Sequence, residues 1–313
     1  MSSETPMLPD VPLKKRLIGV VIGDHFEVVK HRKSGAFKLL FEVNEIESSH
    51  KYAMKVELSY SARNNLEKEA FILRHLAASA HTCDFKECGV DRTINYLVIS
   101  LVGPDLAQIR KRVKDKRFNL GTVLRIGIQC VEALSDIHKA GFILRDVRPE
   151  NFAIGCDDKK DTIYVVDFSI ALQFRIGQGI IREPDYAEFC GSRRYASYNA
   201  HCNRQLGEHD DMISLFYMLA DLHLGKLPWT GSEEIHHIGV LKTKAQPAEI
   251  FGDMPQTMMD TYEALKSFSY GKSFNHGVII EEFQEAAAHI NAPQSLVFDH
   301  SEPSSSKATT SRK

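Results

Sequence analysis

Nowhere in the 313-residue chain do eighteen apolar residues follow one another, so no segment has the apolar length that a membrane-crossing helix needs. Met1 to Asp10 lacks the basic stretch and apolar run of a secretion signal. The chain is therefore expected to be neither secreted nor membrane-spanning. Cysteine is sparse: Cys83, Cys88, Cys130, Cys156, Cys190 and Cys202 are irregularly spaced, which suits reduced thiols in the cytoplasm or the nucleus. His81, Cys83 and Cys88 lack a second matched pair, and a zinc site is not expected there. An excess of one charge is missing too. Lys and Arg number 39 against 41 Asp and Glu, a net charge of -2, so no global basic field is present to hold nucleic acid or an anionic membrane. Recognition of charged partners must be local, and a monomer with neither nucleic acid nor membrane as partner is expected.

What is present is an ordinary globular composition, with 43% hydrophobic and 26% charged residues, enough to bury a core. The length allows two lobes with a cleft between them. The Pro-containing opening (Pro6, Pro9, Pro12) and the Ser/Thr-rich end are read as tails, residues 1–19 and 291–313. From about 22 to 100 the pattern is strand-like, through Phe26–Val29, Phe37–Leu40, Tyr52–Val56 and Tyr96–Leu101. One helix from about Asn64 to His75 interrupts it, its stripe formed by Leu66, Leu73 and Leu76. Beyond residue 105 the pattern turns helical. The clearest helix carries Leu124, Ile128, Val131, Leu134 and Ile137 on one face, with Gly141 at its expected C-terminal cap. Met212–Leu219 is apolar on every side and is expected to be a helix at the centre of the second lobe. The fold class is α+β and bilobal.

Four pieces of the chain carry chemistry. Lys55 is set in the apolar strand Tyr52–Val56, and Glu69 lies on the apolar stripe of the only helix in the same lobe; an unpaired charge in either place would cost several kcal/mol, of order that for any lone buried ion. Pairing them removes both penalties, whether as a plain salt bridge or as part of a functional site. The second piece, Leu144 to Asn151, puts Asp146 and Asn151 in one loop, a candidate base and a neutral oxygen ligand. The third, Val165 to Ser169, supplies a further carboxylate, Asp167. Together these oxygens suit Mg²⁺. The fourth is Gly191–Asn199.

In this order the motifs resemble those of the protein kinases, and within them the casein kinase I superfamily, closest to the tau-tubulin kinase branch. The resemblance covers roughly residues 20 to 290 and extends to Leu101–Leu106, Leu227-Pro228-Trp229 and Ser197-Tyr198-Asn199, where this family carries Ser-Ile-Asn. It implies a kinase domain over 20–290, with a small β-rich lobe over 20–102 and a larger helical lobe over 103–290. It implies an ATP-dependent serine/threonine protein kinase. Lys55 would hold the ATP phosphates and be held by Glu69, Asp146 would accept the substrate proton, and Asn151 and Asp167 would ligate magnesium. Ser192 would steady the substrate hydroxyl, and Asp211 would anchor the catalytic loop. Ile99 would precede hinge residues Ser100 and Leu101, with Leu40, Ala53 and Asp105 also on the nucleotide. Arg193, Arg194, Lys242 and Lys244 fall in segments from which relatives present basic side chains to acidic or already phosphorylated protein substrates.

The glycine-rich loop departs most from the family. Phe37, 18 positions before Lys55, is its aromatic residue, which aligns Lys33, Gly35 and Lys38 with three family glycines; only Gly35 is a glycine. Leu144, Arg148 and Ser169 replace a histidine, a lysine and a glycine, with Arg148 in the place of the lysine that would touch the γ-phosphate. Low turnover is expected, and the alternative is a pseudokinase, a nucleotide-binding or scaffolding module. Arg110-Lys111-Arg112 with Lys114, Lys116 and Arg117 is read as a solvated helix face.

Overall fold

The computed structural model describes residues 13–35, 38–58 and 65–298. Phe37, the expected helix start at Asn64 and most of both expected tails lie outside the described residues.

The chain runs α1 (Leu13–Arg16), β1 (Val21–Ile22), β2 (Phe26–Ser34), β3 (Leu39–Glu45), β4 (Lys51–Leu58), α2 (Asn65–His75), β5 (Phe85–Asp91) and β6 (Ile94–Ser100). These strands form one antiparallel sheet ordered β1-β2-β3-β4-β6-β5. Side chains alternate across a strand, and the pattern of burial follows. Phe41, Val43, Met54, Val56, Tyr96 and Val98 close one small core with Phe26 and Val28. Ala53, Leu97 and Ile99 face the other way, toward Leu66, Ala70 and Leu73 of α2. The register sets Leu40 opposite Lys55, and Lys55 opposite Leu97, so the lysine sits on the α2 face. Val29, expected in the apolar pattern, is exposed because side chains alternate along β2 and Phe26 and Val28 take the core side.

After the sheet come α3 (Leu106–Arg110) and α4 (Leu120–Lys139), then short pieces β7 (Phe142–Ile143), β8 (Phe152–Ile154), β9 (Ile163–Val165), β10 (Leu172–Gln173), β11 (Arg175–Ile176) and β12 (Gly179–Ile180). Helices α5 (Tyr198–His201), α6 (Glu208–Leu224), α7 (Ile235–Lys244), α8 (Pro247–Phe251), α9 (Gln256–Leu265) and α10 (His276–His289) complete the larger lobe. The five predicted apolar positions of α4 are all buried. Asn119 caps its start by accepting from Thr122 N. At its end Gly141 has φ +88°, and a Cβ there would meet Arg175 O at 2.7 Å; only glycine suits both demands. Every residue of α6 from Glu208 to Leu222 is buried, as the all-round apolar pattern requires.

Two expected boundaries shift. Leu17 is buried with the sheet core, so the packed chain begins before residue 20. At the other end, residues 291–298 lie along α4 and the 157–161 turn: Val297 O accepts from Thr122 Oγ1 at 2.6 Å, Leu296 N donates to Asp161 Oδ1 at 2.8 Å, and Phe298 meets Phe118 edge-on. Two apolar side chains and satisfied backbone groups hold a segment that composition alone assigned to the tail.

Candidate active site

A cleft of about 690 Å³ opens between sheet and helices. Of the predicted site residues, Lys33, Gly35, Lys38, Leu40, Ala53, Lys55, Ile99, Leu101, Asp105, Arg148, Asn151 and Asp167 line it. Ser100 does not; its hydroxyl turns to accept from Asp84 N at 2.9 Å.

Lys55 Nζ donates to Glu69 Oε1 at 2.5 Å and to Val166 O at 2.7 Å. Glu69 is fully buried and also accepts from Phe168 N at 2.9 Å, so one carboxylate ties β4, α2 and the residue just after Asp167 together. Lys38 takes its other oxygen at 3.2 Å and reaches Asp167 Oδ1 at 3.0 Å. Burial pulls the Lys38 ammonium down, but Glu69 and Asp167 more than offset it and its pKa is raised. Burial likewise favours a neutral Asp167, yet Lys55, Lys38 and the Ser169 N–H outweigh it and hold that carboxyl well below the usual range. Lys33 lies at the cleft mouth and donates to Asp105 Oδ2 at 2.8 Å.

The loop from Leu144 to Asn151 is shaped from behind. Asp211, buried at the start of α6, accepts from Leu144 N at 2.7 Å and Arg145 N at 2.8 Å, and pairs with His138 Nε2 at 3.0 Å. These bonds secure Arg145 at φ +64°, an uncommon conformation for a side-chain-bearing residue. Asn151 Nδ2 donates to Asp146 O and Asp146 Oδ2, both at 2.8 Å. The amide N–H groups are thereby spent on Asp146, and the carbonyl oxygen is left as the donor atom for a cation. Arg148 Nε lies 3.0 Å from Asp146 Oδ2, near enough for attraction but not aligned as a hydrogen bond. Burial raises the Asp146 carboxyl, partly countered by Arg148 and Asn151. Its Oδ1 is buried without a hydrogen-bond partner, which leaves one acceptor for a substrate hydroxyl.

Gly191 brings the fourth motif against this loop. It has φ +86°, and a Cβ there would fall 2.4 Å from Arg145 O. Ser192 follows directly, its carbonyl accepting from Tyr195 N and Ala196 N. Hard oxygen donors from Asn151 and Asp167 fit a divalent cation such as Mg²⁺, with Lys38 holding one Asp167 oxygen.

The four basic residues assigned to substrate recognition separate. Arg193 and Lys244 are exposed. Arg194 is drawn inward to Asp221 Oδ1 at 2.5 Å and Thr230 Oγ1 at 3.2 Å. Lys242, contrary to expectation, is buried: Nζ donates to Arg193 O at 2.9 Å and Ala196 O at 2.6 Å, contacts His201 Nε2 at 3.1 Å, and lies over the Trp229 and Tyr217 rings. It faces inward because unsatisfied carbonyls of the 193–196 turn need a donor there. Burial without a carboxylate pushes its ammonium well below the usual lysine range. Asp221, fully buried, also accepts from Arg110 Nη1 at 2.7 Å and Tyr195 OH at 2.6 Å. Arg110 is therefore not part of a solvated face. The reading from sequence missed Asp221, although an acid set in the apolar run from Met212 to Leu222 is the same kind of signal that identified Glu69.

Residues 26–277 match the family described as protein kinase domain. A Dictyostelium discoideum protein described as a "Probable serine/threonine-protein kinase" is 32% identical over 283 residues, covering 90% of this chain and 57% of its own length. The Caenorhabditis elegans serine/threonine-protein kinase spe-6 is 30% identical over 274 residues, 84% of this chain and 72% of its own. This chain thus spans little more than half of the Dictyostelium relative.

Proposed function

Because the chain belongs to the protein kinase family, we propose that it transfers the γ-phosphate of ATP to serine or threonine hydroxyls of protein substrates, as a member of the casein kinase I superfamily near the tau-tubulin branch. The observation that carries this reading is one cleft lined by Lys55, Asn151 and Asp167, with Glu69 paired to Lys55 behind it and Asp146 hydrogen-bonded to Asn151 at its edge. Lys55, steadied by Glu69 and Val166 O, meets the phosphates. Asp146 Oδ1 accepts the hydroxyl proton, and Asn151 keeps Asp146 oriented through two hydrogen bonds. Asn151 and Asp167 would hold Mg²⁺, which when bound would offset charge on the transferred group. Arg148 brings a planar guanidinium beside Asp146, where it orients the γ-phosphate.

Preference for acidic or pre-phosphorylated protein substrates rests on Arg193 and Lys244, the exposed members of the basic set. Action as a monomer in the cytoplasm, with the nucleus as a second compartment, completes the reading. Turnover is low because lysines replace loop glycines. The pseudokinase alternative is favoured by one observation, the Lys38 ammonium seated on Asp167. Transfer of labelled γ-phosphate from Mg-ATP to casein, with Asp146→Asn as the blank, tests the choice: incorporation above the blank supports the kinase, and equality with it leaves the pseudokinase.

A further inference from the structure

Lys38 lines the cleft, yet the phosphotransfer scheme does not require it. It stands just before β3, two positions from Leu40, and Leu40 pairs with Lys55 across the sheet. The alternation of the strand therefore aims Lys38 at the same face as Lys55. Its ammonium reaches two carboxylates: Glu69 Oε2 at 3.2 Å and Asp167 Oδ1 at 3.0 Å, the latter 129 residues away in the chain. Only 18% of its side chain is exposed. Glu69 thus carries a lysine on each oxygen.

The charges in this cluster balance. Lys38 and Lys55 are offset by Glu69 and Asp167. A nucleotide entering the cleft adds several negative charges next to the carboxylate of Asp167, and that repulsion is the reason a site of this kind ordinarily needs a divalent cation for tight nucleotide binding. Here a fixed positive charge already sits at Asp167. An ammonium has three protons, and the two hydrogen bonds to Glu69 and Asp167 use two, so the third is free for a phosphate oxygen. Lys55 has the same arrangement, with Glu69 Oε1 and Val166 O taking two of its protons.

We propose that Lys38 is a tethered cation for the nucleotide phosphates, which lets this chain bind ATP or ADP without a divalent metal. The inference rests on the nucleotide-binding reading of the cleft and goes beyond it, since it assigns to the altered loop a gain in metal-independent binding. It concerns binding alone; transfer of the phosphate still calls on Asn151 and Asp167.

The test is the affinity of the full chain for ATP and for ADP, measured by isothermal calorimetry in excess EDTA and again in millimolar Mg²⁺. Chelation should change the affinity of the native chain by less than about threefold, whereas Lys38→Gly and Lys38→Gln should each lose at least about tenfold in EDTA and recover with Mg²⁺. Circular dichroism of both variants checks that they fold, and recovery in Mg²⁺ shows that their clefts remain intact. If the native chain binds nucleotide only with Mg²⁺, the proposal is overturned while the kinase reading stands. If both variants keep native affinity in EDTA, Lys38 is not the cation and the proposal is again overturned. Absence of nucleotide binding under both conditions would overturn this proposal and the kinase reading together.

Discussion

Lys33 donates to Asp105 Oδ2 at 2.8 Å across the mouth of the cleft, joining the end of β2 to the residue that caps α3. The loop that should open and close over a nucleotide is thereby pinned at its first altered glycine position, and Gly35 N closes it further on Lys38 O at 2.7 Å. Removing the tie should speed opening, which governs product release in many enzymes. Lys33→Ala is expected to raise kcat on casein by about two- to fivefold with less change in the KM for ATP. Steady-state kinetics decide it, and a fall in kcat would show that the tie assists closure instead.

Lys55→Met and Asp167→Asn should each lower phosphotransfer by about a hundredfold or more, because each removes a charge that meets the phosphates or their metal. Both chains should fold. Lys55→Met leaves Glu69 paired with Lys38, and Asp167→Asn preserves shape. Near-native turnover by either variant would remove that residue from the proposed chemistry.

Lys242 and Lys244 should behave in opposite ways despite lying on one turn of α7. Lys244→Glu is expected to raise the KM for an acidic peptide while leaving the melting temperature unchanged. Lys242→Ala strips the donor from Arg193 O and Ala196 O and should cost about 1–3 kcal/mol of stability through unsatisfied buried carbonyls. Thermal melts and peptide kinetics on both variants separate the roles. A Lys242→Ala chain as stable as the native one would mean that these carbonyls find water.

A pH dependence follows from His276, where α10 begins. Burial first, then His138 and Lys139, lower its pKa to about 3. His138 Nδ1 lies 2.8 Å from its Nε2, with Asp211 beyond His138, the Phe274 ring packed alongside and Glu208 nearby. An unfolded histidine titrates near 6.5, about its unperturbed value, so from there down to about 3 the unfolded chain binds more protons at this position. The stability present above pH 6.5, roughly the unfolded value, is lost progressively as pH falls. His276→Gln should flatten the decline in melting temperature between about pH 7 and pH 5. Identical slopes in native and variant chains would assign the acid sensitivity elsewhere.

Much of this architecture is written in local pattern. The alternation around Lys55, the one-sided stripe of α4 with Gly141 behind it and the uniformly apolar α6 each specify an element within a dozen residues, since period and capping act over a single turn or strand. The pairing of Lys55 with Glu69 was legible too, because two charges in apolar settings of one lobe have few other ways to be satisfied. The anchoring of the Leu144–Asn151 loop by Asp211 follows from motif order.

The tertiary structure decided where the long cationic side chains end. Arg194 and Lys242 look like surface charges in the sequence, yet one is drawn to Asp221, 27 residues on, and the other to carbonyls of a turn 46 and 49 residues back. Lys38 reads as a damaged glycine, and its position on Asp167 depends on a segment 129 residues away that the fold brings alongside. A lysine or arginine can swing its charge through several ångströms at little rotameric cost, so its partner is set by which anion or carbonyl the fold delivers within reach, and local sequence carries no record of that.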